Sequence, residues 1–92
     1  MKLTGTVHKI LDDQVYSETF SKREFILAVV DGEYTEYVKL QLINDRRGLL
    51  GNVTEGDRVS VDFNIRGREV EVDGVMKYYT NLDAWRLIQE SV

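Results

Sequence analysis

Hydrophobic positions in this chain recur mostly at every second residue, the period of a strand with one buried face. The longest run is Val59, Val61, Phe63 and Ile65, alternating with Arg58, Ser60, Asp62, Asn64 and Arg66. Asp73-Gly74 follows as a tight hairpin signal, because both residue types tolerate a positive φ. Tyr78 to Arg86 then runs back through aromatic and β-forming residues. On that pairing Ile65 faces Leu82 and Phe63 faces Ala84 on the inner side. Asn64, Arg66 and Arg68 share the outer side with Tyr79, Asn81, Asp83 and Trp85. Val70 and Val72 break the odd-numbered phase, and Gly67 at the switch predicts a β-bulge there.

The rest of the chain has the same character. Leu3 to Leu11 reads as a first strand, with Leu3, Gly5 and Val7 in one row and Thr4, Thr6, His8 and Ile10 in the other. The mid-strand glycine predicts a coiled strand that serves two sheets. Asp12 to Lys22 is polar and reads as a loop, whose Tyr16 and Phe20 either plug the end of the core or stand out as ligand contacts. Arg23 to Val30 is the second strand, Asp31-Gly32 the turn, and Tyr34 to Leu42 the third strand. A two-residue turn pairs Phe25 near Val38 and Arg23 near Leu40. Phe25, Leu27, Val29, Val38, Leu40 and Leu42 then face the core, and Lys22, Glu24, Ile26, Ala28, Thr35, Tyr37, Lys39 and Gln41 face outward. Ile43 to Val53 is the one helical stretch, one or two turns long. Asn44 or Asp45 can cap it, Leu49, Leu50 and Val53 form its apolar stripe, and Gly48 and Gly51 weaken it. Glu55-Gly56-Asp57 turns the chain into the fourth strand, and Gln89 to Val92 is a short end. Three strands, a short helix and two strands is the order of an all-β, five-stranded OB-fold barrel with a short helix between strands 3 and 4.

Length and composition narrow the possibilities. A chain of 92 residues with no proline, repeat or linker is expected to be one domain over residues 1–92. It can bury roughly 60–65% of its unfolded surface. No apolar run approaches the ~18 residues of a membrane span, the N-terminus has no apolar signal core, and there are no cysteines. The expected location is the cytoplasm, with no membrane partner, disulfide or thiolate metal site. The net charge of -4 argues against a polyanionic partner, although a local basic stripe acts within ~8–10 Å. His8 has no acid or nucleophile at a telling spacing and reads as a solvated or structural histidine. Asp12-Asp13, Asp57, Asp62 and Asp83 are scattered, as turn and surface residues are. Gly48-Leu49-Leu50-Gly51 lacks the lysine and hydroxyl of a P-loop. No enzyme, cofactor or metal is expected from these residues.

What remains is a set of rings and cations: Lys22, Tyr37, Lys39, Arg46, Arg66, Arg68, Tyr79 and Trp85. Two readings of it are open. Outward rings can stack on bases at ~1–3 kcal/mol each, and five cations on a single strand predict a log-log salt slope near -3.5 at ~0.7 per phosphate. Alternatively the rings pack over the barrel ends or at a subunit contact, and cross-strand Tyr and Arg pairs stabilise the sheet with no ligand. The second apolar row, Ile26, Ala28 and Val30, suggests a further contact, which a homodimer through a sheet surface would explain, as would the loop folding back; a homo-oligomer is expected. The rival to single-strand binding is therefore a protein-interaction module that uses its edges and this row.

Several short segments resemble the bacterial single-stranded DNA-binding protein family. They are Gly5 opening the first strand, Phe25-Ile26-Leu27-Ala28-Val29, Glu36-Tyr37-Val38-Lys39, Glu55-Gly56-Asp57-Arg58-Val59-Ser60-Val61, Gly67-Arg68-Glu69, and Tyr78-Tyr79-Thr80-Asn81-Leu82-Asp83-Ala84. The chain is also similar to a small family of bacterial and phage proteins thought to share this fold, through Glu24-Phe25-Ile26-Leu27 and Asp83-Ala84-Trp85. The resemblance implies an OB-fold and single-stranded nucleic acid as ligand. Two departures stand out. The tryptophan that often ends the family's third strand is replaced by Leu42 or Ile43, and the chain stops at Val92 without the family's acidic recruiting tail.

Overall fold

The structure, a computed structural model of the chain, describes residues 1–90. Ser91 and Val92, in the short end expected over Gln89 to Val92, lie outside the described residues. Five strands form: β1 (Lys2–Val15), β2 (Ser21–Asp31), β3 (Tyr34–Ile43), β4 (Arg58–Val72) and β5 (Val75–Gln89), with a 3₁₀ turn (Asn44–Leu50) between β3 and β4. They close a barrel in the order β1-β2-β3-β5-β4, the expected OB-fold architecture. Among the described residues no helix is long and apolar enough to cross a membrane.

The inward rows make the core. Phe25, Leu27, Leu40, Leu42, Val59, Val61, Phe63 and Ala84 are buried with Val7, and Val29 and Val38 pack against them. Leu50 is buried from the 3₁₀ turn and closes one end, with Leu49 and Val53 beside it. Gly5 lets β1 pass close to its neighbours. β1 pairs with β4 over Lys2 to Thr6 and with β2 from Thr6 onward, and a Cβ on Gly5 would meet the Ala28 carbonyl oxygen.

Several expectations shift in detail. The segment read as a loop from Asp12 to Lys22 is mostly strand: Asp13 pairs with Arg23, Gln14 with Lys22 and Val15 with Ser21, which leaves Tyr16 to Phe20 as the loop. Backbone pairing and polar contacts such as Arg47–Asp13 carry this end of the ribbon, so no apolar alternation marks it. In β1 a bulge at His8 separates the Val7–Leu27 pair from the Lys9–Ile26 pair. It flips the phase, so Ile10 leaves the outer row and packs on the core. The β2–β3 turn falls at Gly32-Glu33, which moves the register by two: Phe25 pairs with Leu40 and Arg23 with Leu42. A two-residue shift preserves both faces. Neither Asn44 nor Asp45 caps the 3₁₀ turn. Ile43 is the N-cap without a side-chain bond. Asn44 adopts φ 50°, and its Oδ1 accepts the Ser21 N–H at 2.8 Å.

The β4–β5 hairpin turns at Asp73 (φ 52°) and Gly74 (φ 79°), as its dipeptide predicts. Gly67 carries no bulge and pairs in register with Thr80. The bulge is in β5 at Trp85, between the Asp62–Arg86 and Phe63–Ala84 pairs. The inner row simply runs past the barrel wall, where Ile65 pairs with Leu82 yet is 52% exposed. Val70 and Val72 stand on the outer row of a free arm. A 15-residue strand spans roughly 50 Å, and the molecule's longest dimension is 51 Å, so this hairpin sets its length.

Candidate nucleic-acid interface

β3 and β5 run parallel and meet at one bridge, Gln41 with Asp83. Gln41 is buried, and its Nε2 donates to Asp83 Oδ1. The strands diverge on both sides of that bridge, because each is drawn to its antiparallel partner, β2 or β4. The divergence opens two clefts. One, of about 390 Å³, is lined by Ile43, Asn44, Asp45, Arg46, Asn64, Arg66, Asp83, Ala84 and Trp85. The other, of about 400 Å³, is lined by Glu24, Tyr37, Val38, Lys39, Leu40, Gln41, Thr80, Asn81 and Leu82.

These clefts bring together five of the eight residues singled out in the sequence. Arg46, Arg66 and Trp85 share the first, and Tyr37 and Lys39 the second. Arg68 and Tyr79 are paired across the free arm, the guanidinium 5.8 Å from the ring centroid. Lys22 lies at the far end of β2, its ammonium 5.6 Å from the Tyr16 ring. The three rings are open to solvent: Tyr37 is 61%, Tyr79 46% and Trp85 40% exposed. Alternation from the inward Ala84 already turns Trp85 outward, and the extra residue at Trp85 shifts the phase beyond it, so that Leu87 packs on the core.

Two cations already have partners. Lys39 Nζ lies 3.6 Å from Glu24 Oε2, and Arg66 Nε lies 3.8 Å from Asp83 Oδ2. Both pairs are at least half solvated on the cation side, and such pairs contribute ~0–1 kcal/mol, so phosphate can compete for them at a small cost. Arg47 is held elsewhere, by Asp13 at 2.6 Å and by the Asn44 carbonyl, which leaves Arg46 as the arginine of that pair that faces the cleft. Among the described residues, Lys22, Arg46 and Arg68 have no carboxylate within 4.0 Å. The wall is thus a mixture of signs rather than a continuous basic groove.

Sequence reasoning missed four members of this surface. His8 reads as a solvated or structural histidine and is exposed, and its ring centroid lies 4.9 Å from that of Tyr37. The bulge that brings it there has no signal in the alternation. Alternation puts Asp83, Gln41 and Asn64 on the outer face, yet their convergence at the seam depends on a pairing across the barrel that no local pattern contains. Tyr16 and Phe20 stand out from the core, stacked with centroids 5.4 Å apart. Among the described residues no three His, Cys, Asp or Glu side chains converge as metal ligands do.

Residues 2–88 match the family described as a domain of unknown function, DUF3127. No curated protein sequence matches the chain. Three solved structures are similar. The mitochondrial single-stranded DNA-binding protein Rim1 of S. cerevisiae shares 15% identity over 97% of this chain and 91% of that one, with a TM-score of 0.75. The dimeric N-terminal domain of PriB from Thermoanaerobacter tencongensis shares 21% identity over 100% and 96%, with a TM-score of 0.73. The small single-stranded DNA-binding protein of Streptomyces coelicolor shares 18% identity over 98% and 92%, with a TM-score of 0.63. At these identities the likeness is one of fold.

Proposed function

We infer that the chain, which belongs to the DUF3127 family, binds single-stranded nucleic acid without catalysis. The observation that carries this reading is the split seam: each cleft sets a solvent-open ring, Tyr37 or Trp85, beside a cation, Lys39 or Arg46. Rings accept the faces of unstacked bases, and flanking cations neutralise phosphates. Arg68 and Tyr79 extend the same chemistry along the outer face of the arm, and Lys22 with Tyr16 adds a further ring and cation at the loop. The three similar structures, two of single-stranded DNA-binding proteins and one of PriB, lend support at the level of fold.

The ion pairs lower the expected salt dependence. Lys39 and Arg66 exchange one anion for another on binding, so their net counterion release is small. Three cations without a carboxylate partner, at ~0.7 per phosphate, predict a log-log slope near about -2 rather than -3.5. Titration of labelled oligothymidine at several salt concentrations, followed by anisotropy and Trp85 fluorescence, measures it. No binding at low salt would end the proposal.

The proposal includes a homo-oligomer. Val30 is 73% exposed at the end of the outer row whose Ile26 and Ala28 are half-buried. Ile26→Asp is expected to lower the mass measured by sedimentation to that of a single chain while leaving the fold intact. An unchanged mass, or a wild-type chain that already sediments alone, removes the oligomer from the proposal.

A further inference from the structure

The cleft beside Trp85 holds a carboxylate that phosphate attraction does not explain. Asp83 lines it and is fixed there: Gln41, 8% exposed, donates to its Oδ1, and its Oδ2 lies 3.8 Å from Arg66 Nε. A carboxylate has roughly four acceptor sites, so these contacts leave capacity open toward the cleft. Donors surround it. Asn64 pairs directly across the ladder from Asp83. Arg46 projects from the 3₁₀ turn, and Asn44 has its Oδ1 committed to Ser21, which leaves its amide N–H groups. Trp85 supplies a stacking face at the mouth. A volume of about 390 Å³ is ample for one base and lies at the small end of ligand pockets.

We propose that this cleft selects one base of the bound strand, and that the base is guanine in preference to thymine. The proposal rests on the single-strand reading and adds the identity of a base to it. A fixed acceptor in a cleft also lined by donors asks for an edge of complementary order. Guanine presents two adjacent donors, N1–H and the N2 amino group, which one carboxylate can accept together. Its O6 then faces a guanidinium of Arg66 or Arg46. Thymine offers one N–H between two carbonyl oxygens, so a carbonyl must face Asp83 whichever way the ring turns. A site whose polar group is left unpaired by the wrong partner discriminates more strongly than one that loses only contact area, and a bidentate pair is the usual unit of base choice.

Competition titration against labelled oligothymidine tests this. The competitors are thymidine oligomers in which one central thymidine is replaced by dG, dA or dC. The dG oligomer is expected to bind roughly tenfold more tightly than the all-thymidine one, with dA and dC between. Asp83→Asn is isosteric and keeps an oxygen for Gln41 but offers the cleft an N–H donor. That variant is expected to bring dG and thymidine to within about twofold of each other, since an amide donor suits the thymine carbonyls. Equal wild-type affinity for all the oligomers overturns the base-selective cleft and leaves single-strand binding standing. A dG preference that survives Asp83→Asn overturns the role of Asp83. A chain that binds none of the oligomers overturns both proposals together.

Discussion

Alanine at both Tyr37 and Trp85 is expected to weaken oligothymidine binding by at least about 30-fold. The figure follows from ~1–3 kcal/mol per stacked base, so two rings contribute roughly 2–6 kcal/mol, and each ~1.4 kcal/mol is a factor of ten. The two side chains line different clefts on either side of the Gln41–Asp83 bridge, so their losses should add to within about 0.5 kcal/mol. Tyr37, 61% exposed, is expected to contribute little to stability, whereas Trp85, 40% exposed, covers apolar area whose loss costs roughly 1–3 kcal/mol. Thermal unfolding of the double variant therefore separates lost stacking from lost structure. A folded double variant with wild-type affinity would remove both rings from the interface and return them to the alternative of packing at a subunit contact.

Phe25→Ala is expected to cost ~3–5 kcal/mol of stability. Phe25 is completely buried, paired with Ile10 on β1 and Leu40 on β3, so the cavity it leaves is enclosed on both sides of β2. A chain of 92 residues has roughly 5–14 kcal/mol of net stability in total. The variant is thus expected to lose a fifth or more of it, seen as a fall of roughly 1–5 M in the urea midpoint. A loss below ~1 kcal/mol would mean that Phe25 does not sit where three strands converge.

The fold was largely legible because its signals are local. Alternation named Phe25, Leu27, Leu40, Val59, Val61 and Phe63 as core. The register error in the β2–β3 hairpin did no damage, because a shift of two residues leaves every side chain on its own face. Asp73-Gly74 specified its turn through the positive φ both residues accept. The misplacements have several local causes. The bulges at His8 and Trp85 are single-residue insertions that the surrounding ladder accommodates, and period two carries no mark of them. Gly67 reads as a bulge because Val70 and Val72 change phase. Those valines lie beyond the barrel, where no inner side exists and the pattern loses its meaning.

The candidate site was legible only as an inventory. Rings and cations on outward rows could be named from alternation, and Tyr37, Tyr79 and Trp85 are indeed exposed. Which of them share a cleft could not be named. That depends on β3 meeting β5 at a single bridge between residues 42 apart in the chain. Periodicity is set by the backbone's own geometry and can be read along a strand without knowing its neighbours. The place where a barrel closes, and the gaps it leaves when two strands part, is set by how all five twisted strands fit around one core, and no segment carries that information alone.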